Sequence, residues 1–176
     1  MKMDNHHIGT STNLAFANQI ASARTINEPI VNDERGDTPL IKACRCADLS
    51  LIIALIARGA NVDSTNEIGH ATSICVASQE GHVEVVKLLM EFHPDGDLPT
   101  LHGITPLFMA SQNGHIEVMK LLMEYKVNGD LASINGATPL FVASQNGQVE
   151  MVKLLMEYKV NGDLAKNNGA TPLFMA

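Results

Sequence analysis

Apolar and polar positions alternate along this chain in two recurring patterns. From Ile116 to Tyr125 the residues Val118, Leu121, Leu122 and Tyr125 fall at i, i+3, i+4 and i+7, the stripe of an amphipathic helix. Just before it, Thr105-Pro106 opens a shorter helix over Pro106 to Asn113, with Leu107 and Ala110 on one face. Thr caps a helix well, and Pro suits the first helical position because no N–H partner is needed there. Gly114 breaks this helix, as a residue tolerant of positive φ should. The stretch Val127 to Gly136, with Asn128-Gly129-Asp130, is polar and turn-rich and predicts a projecting loop or short hairpin. The first helix is too short to be stable alone. Each unit must therefore bury its face on its neighbours.

The pattern recurs with a fixed period. Residues 101–133 and 134–166 align without gaps, and 24 of 33 positions are identical. Marker glycines at 36, 69, 103, 136 and 169 are spaced by 33, 34, 33 and 33 residues, the signature of a solenoid. The short helix begins with Thr-Pro-Leu and reaches an Ala in Thr38 to Ala43, Thr105 to Ala110, Thr138 to Ala143 and Thr171 to Ala176. The longer helix reads GHVEVVKLL at Gly81 to Leu89, GHIEVMKLL at Gly114 to Leu122 and GQVEMVKLL at Gly147 to Leu155. The first unit ends on Arg58-Gly59-Ala60-Asn61-Val62-Asp63. These residues resemble the ankyrin repeat family over about residues 34 to 176. The resemblance implies an all-α solenoid of stacked helix–turn–helix units with β-hairpin fingers. The repeats are placed at 34–66, 67–100, 101–133 and 134–166, with a partial fifth at 167–176 and a separate tail at 1–33.

The chain departs from the family pattern at several places. The His that usually follows Thr-Pro-Leu is Ile41, Phe108, Phe141 or Phe174 here, so packing near the fingers should differ. Repeat 2 has Thr72-Ser73-Ile74 and one extra residue after Gly69, which predicts a distorted finger or helix start. Repeat 1 has Ala47-Asp48 where later repeats have Gly-His or Gly-Gln. The Gly that ends the second helix is Gly59 in repeat 1 but His93, Lys126 and Lys159 later. Positive φ costs a non-Gly residue about 1 kcal/mol, so those helices are expected to end elsewhere, at Asn128-Gly129 in repeat 3. At the N-terminal end, Leu14, Phe16, Ala17, Ile20 and Ala21 suggest a short helix capping the first repeat. At the other end, Leu140, Phe141, Leu154 and Leu155 would face a half-built neighbour, an apolar face suited to self-association or to a longer array.

Composition narrows the function. The residues are 45 % hydrophobic but only 4 % aromatic, with nine Met and no Trp, so the core is aliphatic. Twelve basic against 19 acidic residues leave a net charge of -7, which argues against nucleic acid as partner. Three Cys do not make a disulfide-stapled module. The longest apolar run, Leu49 to Ala57, contains Ser50 and is far below the roughly 18 residues of a membrane span. The Leu14 to Ala23 stretch is broken by Asn18, Gln19 and Ser22, so no signal peptide is read and a cytoplasmic location is expected.

Motifs for chemistry are incomplete. His82-x-Glu84 and His115-x-Glu117 resemble half of a zinc-deaminase signature, but no Pro-Cys-x-x-Cys follows. Repeat 4 replaces the His by Gln148, which points instead to a helix-start residue bonding between repeats. Cys44 and Cys46, one residue apart, diverge by about 200° on a helix and do not make a zinc pair with Cys75 and His70. His6-His7 lies in a polar tail. No cofactor, metal or catalytic residue is expected. The function expected is a non-catalytic scaffold binding a protein partner through a concave surface. The alternatives are a regulatory segment of a longer enzyme or channel, or a microbial effector acting on host proteins.

The resemblance also implies where such a partner would touch. The finger positions are Glu34, Arg35, Asp37, Glu67, Ile68, His70, Leu101, His102, Ile104, Ile134, Asn135 and Ala137. The first-helix positions are Arg45, Cys46, Gln79, Glu80, Gln112, Asn113, Gln145 and Asn146. The ends of the second helices add Arg58, Phe92, Tyr125 and Tyr158.

Overall fold

The computed structural model describes Asn27 and residues 34–172. The expected capping helix at Leu14 to Ala21 and the end of the partial fifth repeat lie outside these residues. Among the described residues eight helices follow in pairs: α1 (Pro39–Arg45) with α2 (Leu49–Ala57), α3 (Ser73–Glu80) with α4 (Val83–Met90), α5 (Pro106–Asn113) with α6 (Ile116–Glu124), and α7 (Pro139–Gln145) with α8 (Val149–Glu157). The first helices pack on one another in chain order, α1 on α3 on α5 on α7, and each pair closes on itself.

Every first helix starts the same way. The hydroxyls of Thr38, Thr72, Thr105 and Thr138 accept the N–H three residues on, at 3.2 to 3.4 Å. Pro39, Pro106 and Pro139 take the first helical position. Repeat 2 keeps a regular start despite Ser73, because Thr72 has the extended backbone of the other caps. Its extra residue is absorbed in the finger. There the Asn66 N–H bonds the Ala71 carbonyl at 3.0 Å, five residues on, whereas Thr100 and Ser133 bond four residues on. His70 takes the left-handed turn at φ 53, a conformation that falls on a Gly in the other fingers. Asn66 holds this wider turn together: its Oδ1 accepts from Gly69 and Ala71, and its Nδ2 donates to Asp37.

Hydrogen bonds between repeats fix the register. His82 and His115 stand at the starts of α4 and α6 but do not cap them. Their Nε2 atoms lie 3.0 Å from the Arg45 and Gln79 carbonyls of the preceding repeat. Gln148 Nε2 donates to the Gln112 carbonyl at 2.9 Å and fills the same role. Asn113 and Asn146 add a second donor to the Gln79 and Gln112 carbonyls. This contact is why Gly81 and Gly114 precede those helices. Both have positive φ, and a Cβ at Gly81 would meet the His115 ring at 2.6 Å.

The second helices do not end where the sequence suggests. Lys126 and Lys159 themselves adopt φ 65 and 63, and His93 adopts φ 52. After α6, Val127 N–H bonds the Leu122 carbonyl and Lys126 N–H bonds Met123, the bonding of a Schellman turn that Gly59 makes after α2. The two bonds and the burial of Val127 outweigh the strain on Lys126. Beyond these turns a polar ladder runs along the loops. Carboxylates of Asp63, Asp97 and Asp130 accept the backbone N–H of Asp95, Asn128 and Asn161 in the following repeat, at 2.7 to 3.0 Å. Asn27 Oδ1 does the same for Asn61 at 2.8 Å.

The main core runs through all pairs, with Leu40, Ile52, Leu55, Ile74, Leu89, Leu107, Met119, Leu122, Met151 and Leu155 at most 1 % exposed. A second apolar cluster joins Phe108, Ala137, Phe141 and Val142, with Ile104 and Ala170 against it. The Phe residues that stand where the family has His thus pack under the fingers. The fingers are tight hydrogen-bonded turns rather than strands. Among the described residues only Thr65 and Thr72 form a bridge. Successive fingers are joined by one backbone bond each, such as Leu101 N–H to Gly69 and Ile134 N–H to His102. On the surface Lys87 pairs with Glu84 and Lys120 with Glu117, each three residues apart. The charge of Glu150 also acts on Lys120.

The outer face of repeat 4 is better covered than its sequence implies. Leu140, Phe141 and Leu155 are buried, and Val152 and Leu154 are half-buried. Met156 remains 51 % exposed. Leu140, Val152, Met156, Gly162 and Pro172 line a small apolar hollow of about 240 Å³.

Three outcomes follow for stability. Lys126→Gly removes left-handed strain and should raise stability by about 1 kcal/mol, read as a higher urea midpoint at unchanged slope. His115→Gln should stay within about 0.5 kcal/mol of the parent, while His115→Ala should lose about 1 kcal/mol with its bond to Gln79. Equal losses in the two variants would show that the ring's packing, not its hydrogen bond, holds the junction. Ser73→Pro should stabilise by about 0.5 to 1 kcal/mol. A lower midpoint would mean that the buried Ser73 hydroxyl beside the Cys44 thiol matters more than a stiffer chain.

Candidate functional site

Backbone carbonyls and buried side chains hold the stack, which leaves the finger turns and outer first-helix positions free to face water. Ile68, Leu101 and Ile134 project from three successive fingers at 64, 54 and 64 % exposure. Glu34, Arg35, Glu67, His70, His102 and Asn135 are exposed on the same turns. Cys46, Gln79, Glu80, Gln112, Asn113, Gln145 and Asn146 are exposed along the first helices. Asn113 and Asn146 are committed to the inter-repeat bonds.

Four expected contact residues are placed differently. Asp37 is fully buried and Ala137 lies in the Phe cluster, so neither is offered to a partner. Ile104 and Arg45 are half-buried and line grooves rather than protrude. At the second-helix ends, Arg58 is exposed, and Phe92 and Tyr158 are 42 and 38 % exposed. Tyr125 is half-buried, with its hydroxyl 3.5 Å from His93 Nδ1 of the preceding repeat.

Two grooves run between the fingers and the first helices. One, of about 300 Å³, is lined by Arg35, Arg45, Gln79, Glu80, His102 and Met109 among others. The other, of about 500 Å³, lies between repeats 3 and 4 against Phe108, Gln112, Ile134, Val142 and Gln145. Their electrostatics differ. In the first, Arg45 bonds the Asp37 carboxylate through Nε at 2.9 Å and Nη2 at 3.2 Å, and reaches Glu80 at 3.3 Å. Burial acts to lower the Arg45 pKa, but bonding and charge pairing with Asp37 and Glu80 outweigh it and hold the guanidinium charged. The second groove has no carboxylate in its lining. Its one ammonium, Lys166, lies 5.1 Å above the Phe141 ring. Sequence reasoning missed Phe108, Val142 and Lys166 as groove residues, because helical spacing alone makes the first two core and the third a loop residue.

Burial pushes the Cys44 and Cys75 thiols up to about 12, far from the thiolate a nucleophile needs. Among the described residues no three His, Cys, Asp or Glu side chains converge on a metal position. No described helix is long and apolar enough to cross a membrane.

Known proteins agree with this architecture. The family model for ankyrin repeats (3 copies) matches residues 40–133, 74–165 and 126–176. A curated ankyrin repeat protein of Coxiella burnetii (strain RSA 493 / Nine Mile phase I) is 36 % identical over 70 residues, which is 40 % of this chain and 20 % of that protein. The aligned part thus spans about a fifth of the relative's length. Repeats of this family generally mediate protein–protein interaction and are typically non-catalytic. With paired helices, Thr-Pro starts and a 33-residue period all in register, the chain belongs to the ankyrin repeat family.

Proposed function

We propose that this chain is a non-catalytic scaffold that binds a protein partner across its fingers and first helices. One observation carries the reading. The side chains that make the stack and the side chains that face water on this surface are almost separate sets. The side chains of His82, His115, Gln148 and the Asp ladder hold the repeats together, while Leu101, Ile134, His102 and Asn135 join the fingers through their backbone and, with Ile68, leave their side chains in water. Large aliphatic side chains left in water on successive fingers favour association with another surface. The elongated stack also spreads those residues over several repeats, which gives a partner many contact points without a deep pocket.

The test is capture of proteins from a cell lysate by the immobilised full chain. Replacing His102, Asn135 and Gln145 together by Glu should abolish capture and leave the unfolding midpoint unchanged, because all three are exposed. Reversing Lys87 and Glu117 on the second helices should leave capture intact. Capture that survives the first variant and disappears in the second would move the binding surface to the opposite face.

A further inference from the structure

We infer that the groove between repeats 3 and 4 takes an extended, uncharged peptide segment of the partner, anchored by apolar side chains. This rests on the protein-binding reading above and names the chemistry of what is bound.

Three features of the groove point to that occupant. The first is charge. The acidic excess of this chain sits elsewhere, on the loop residues Asp63, Asp95, Asp97, Asp130 and Asp163 and on the second-helix residues Glu84, Glu117 and Glu150. The groove lining contains no carboxylate, and its ammonium, Lys166, already lies over the Phe141 ring. A charged side chain entering it would give up water without gaining a counter-ion. The groove nearer the N-terminal end differs, with Arg35, Arg45 and Glu80 in its walls.

The second feature is the floor. Phe108 and Val142 are each 5 % exposed, and Ile104 is half-buried beside them. Ile134, 64 % exposed, forms the finger-side wall. An apolar side chain laid beside Ile134 and Ile104 would cover their exposed surface above an already buried floor.

The third feature is a pair of amides. Gln112 and Gln145 occupy the same position in successive repeats, and their side chains make no hydrogen bond among the described residues. A carboxamide offers one acceptor and two donors. That set matches the C=O and N–H of an extended main chain, which need partners once drawn from water. Two such amides one repeat apart select a segment with free backbone groups over a helix, whose backbone bonds are already satisfied internally.

The experiment selects peptides from a displayed library of random 12-residue sequences on the immobilised 176-residue chain. Enriched peptides should carry apolar, uncharged residues at recurring anchor positions. Ile134→Asp should weaken their binding about tenfold or more, as loss of a buried anchor contact does. Gln112→Ala with Gln145→Ala should weaken it comparably. Arg35→Ala, in the other groove, should leave it within about twofold. Circular dichroism checks that the variants keep their helices, as exposed substitutions should. Peptides that are enriched yet strongly charged, or that lose binding with Arg35→Ala but not with Ile134→Asp, overturn this inference and leave the scaffold reading standing. A selection that enriches no peptide, together with unaltered lysate capture by the His102, Asn135 and Gln145 variant, overturns both.

Discussion

The last carbonyls of a helix have no partner within it, and in this chain the next repeat provides one. The Arg45, Gln79 and Gln112 carbonyls each receive a side chain from the following repeat, His82, His115 or Gln148. The other contacts between repeats, the loop Asp ladder and the finger backbone bonds, are compatible with that bond. It sets how far one pair of helices is displaced on the next, and hence which loop Asp meets which N–H and which finger backbone meets its neighbour. The bond demands a donor at the start of the second helix, and the residue facing it across each junction is left-handed: Ala47, Gly81 or Gly114.

His and Gln are interchangeable in this role for a geometric reason. Each carries an N–H at the tip of a side chain long enough to reach the preceding helix end. Neither needs charge to donate. The Asp ladder along the loops is a second line of bonds at the far end of the second helices. Each repeat is therefore held at two well-separated places, which resists rotation better than a single apolar contact could. Between these two lines the aliphatic core supplies cohesion but little direction, since burial of apolar area is not directional.

The fold was legible because its signals repeat. Thr-Pro at the start of α1, α5 and α7, the glycine breaks and the i, i+3, i+4 stripe of α6 each state the same unit, and the period makes them agree. What misled was the assumption that local strain decides a helix end. Lys126 and Lys159 accept left-handed backbone because the turn that follows satisfies two carbonyls and buries Val127 or Val160. The extra residue after Gly69 marks the finger of repeat 2 as irregular, but the compensation through Asn66 depends on Asp37, 29 residues earlier, and no local pattern reveals it. For the proposed binding surface, the family resemblance implied positions on the fingers and first helices, most of which are exposed. It could not separate Asp37 and Ala137, which tertiary packing buries, from neighbours that stay in water.

The junction between repeats 2 and 3 and that between repeats 3 and 4 use the same parts. Gly81 receives His115 as Gly114 receives Gln148, and Gly96 receives Val127 as Gly129 receives Val160. Asp97 meets Asn128 as Asp130 meets Asn161. A coding sequence of this kind can recombine with itself out of step by one unit, gaining or losing 33 codons in frame, and the new junction would need no contact that the old ones lack. Heredity can therefore alter the number of repeats more readily than the way any two of them join.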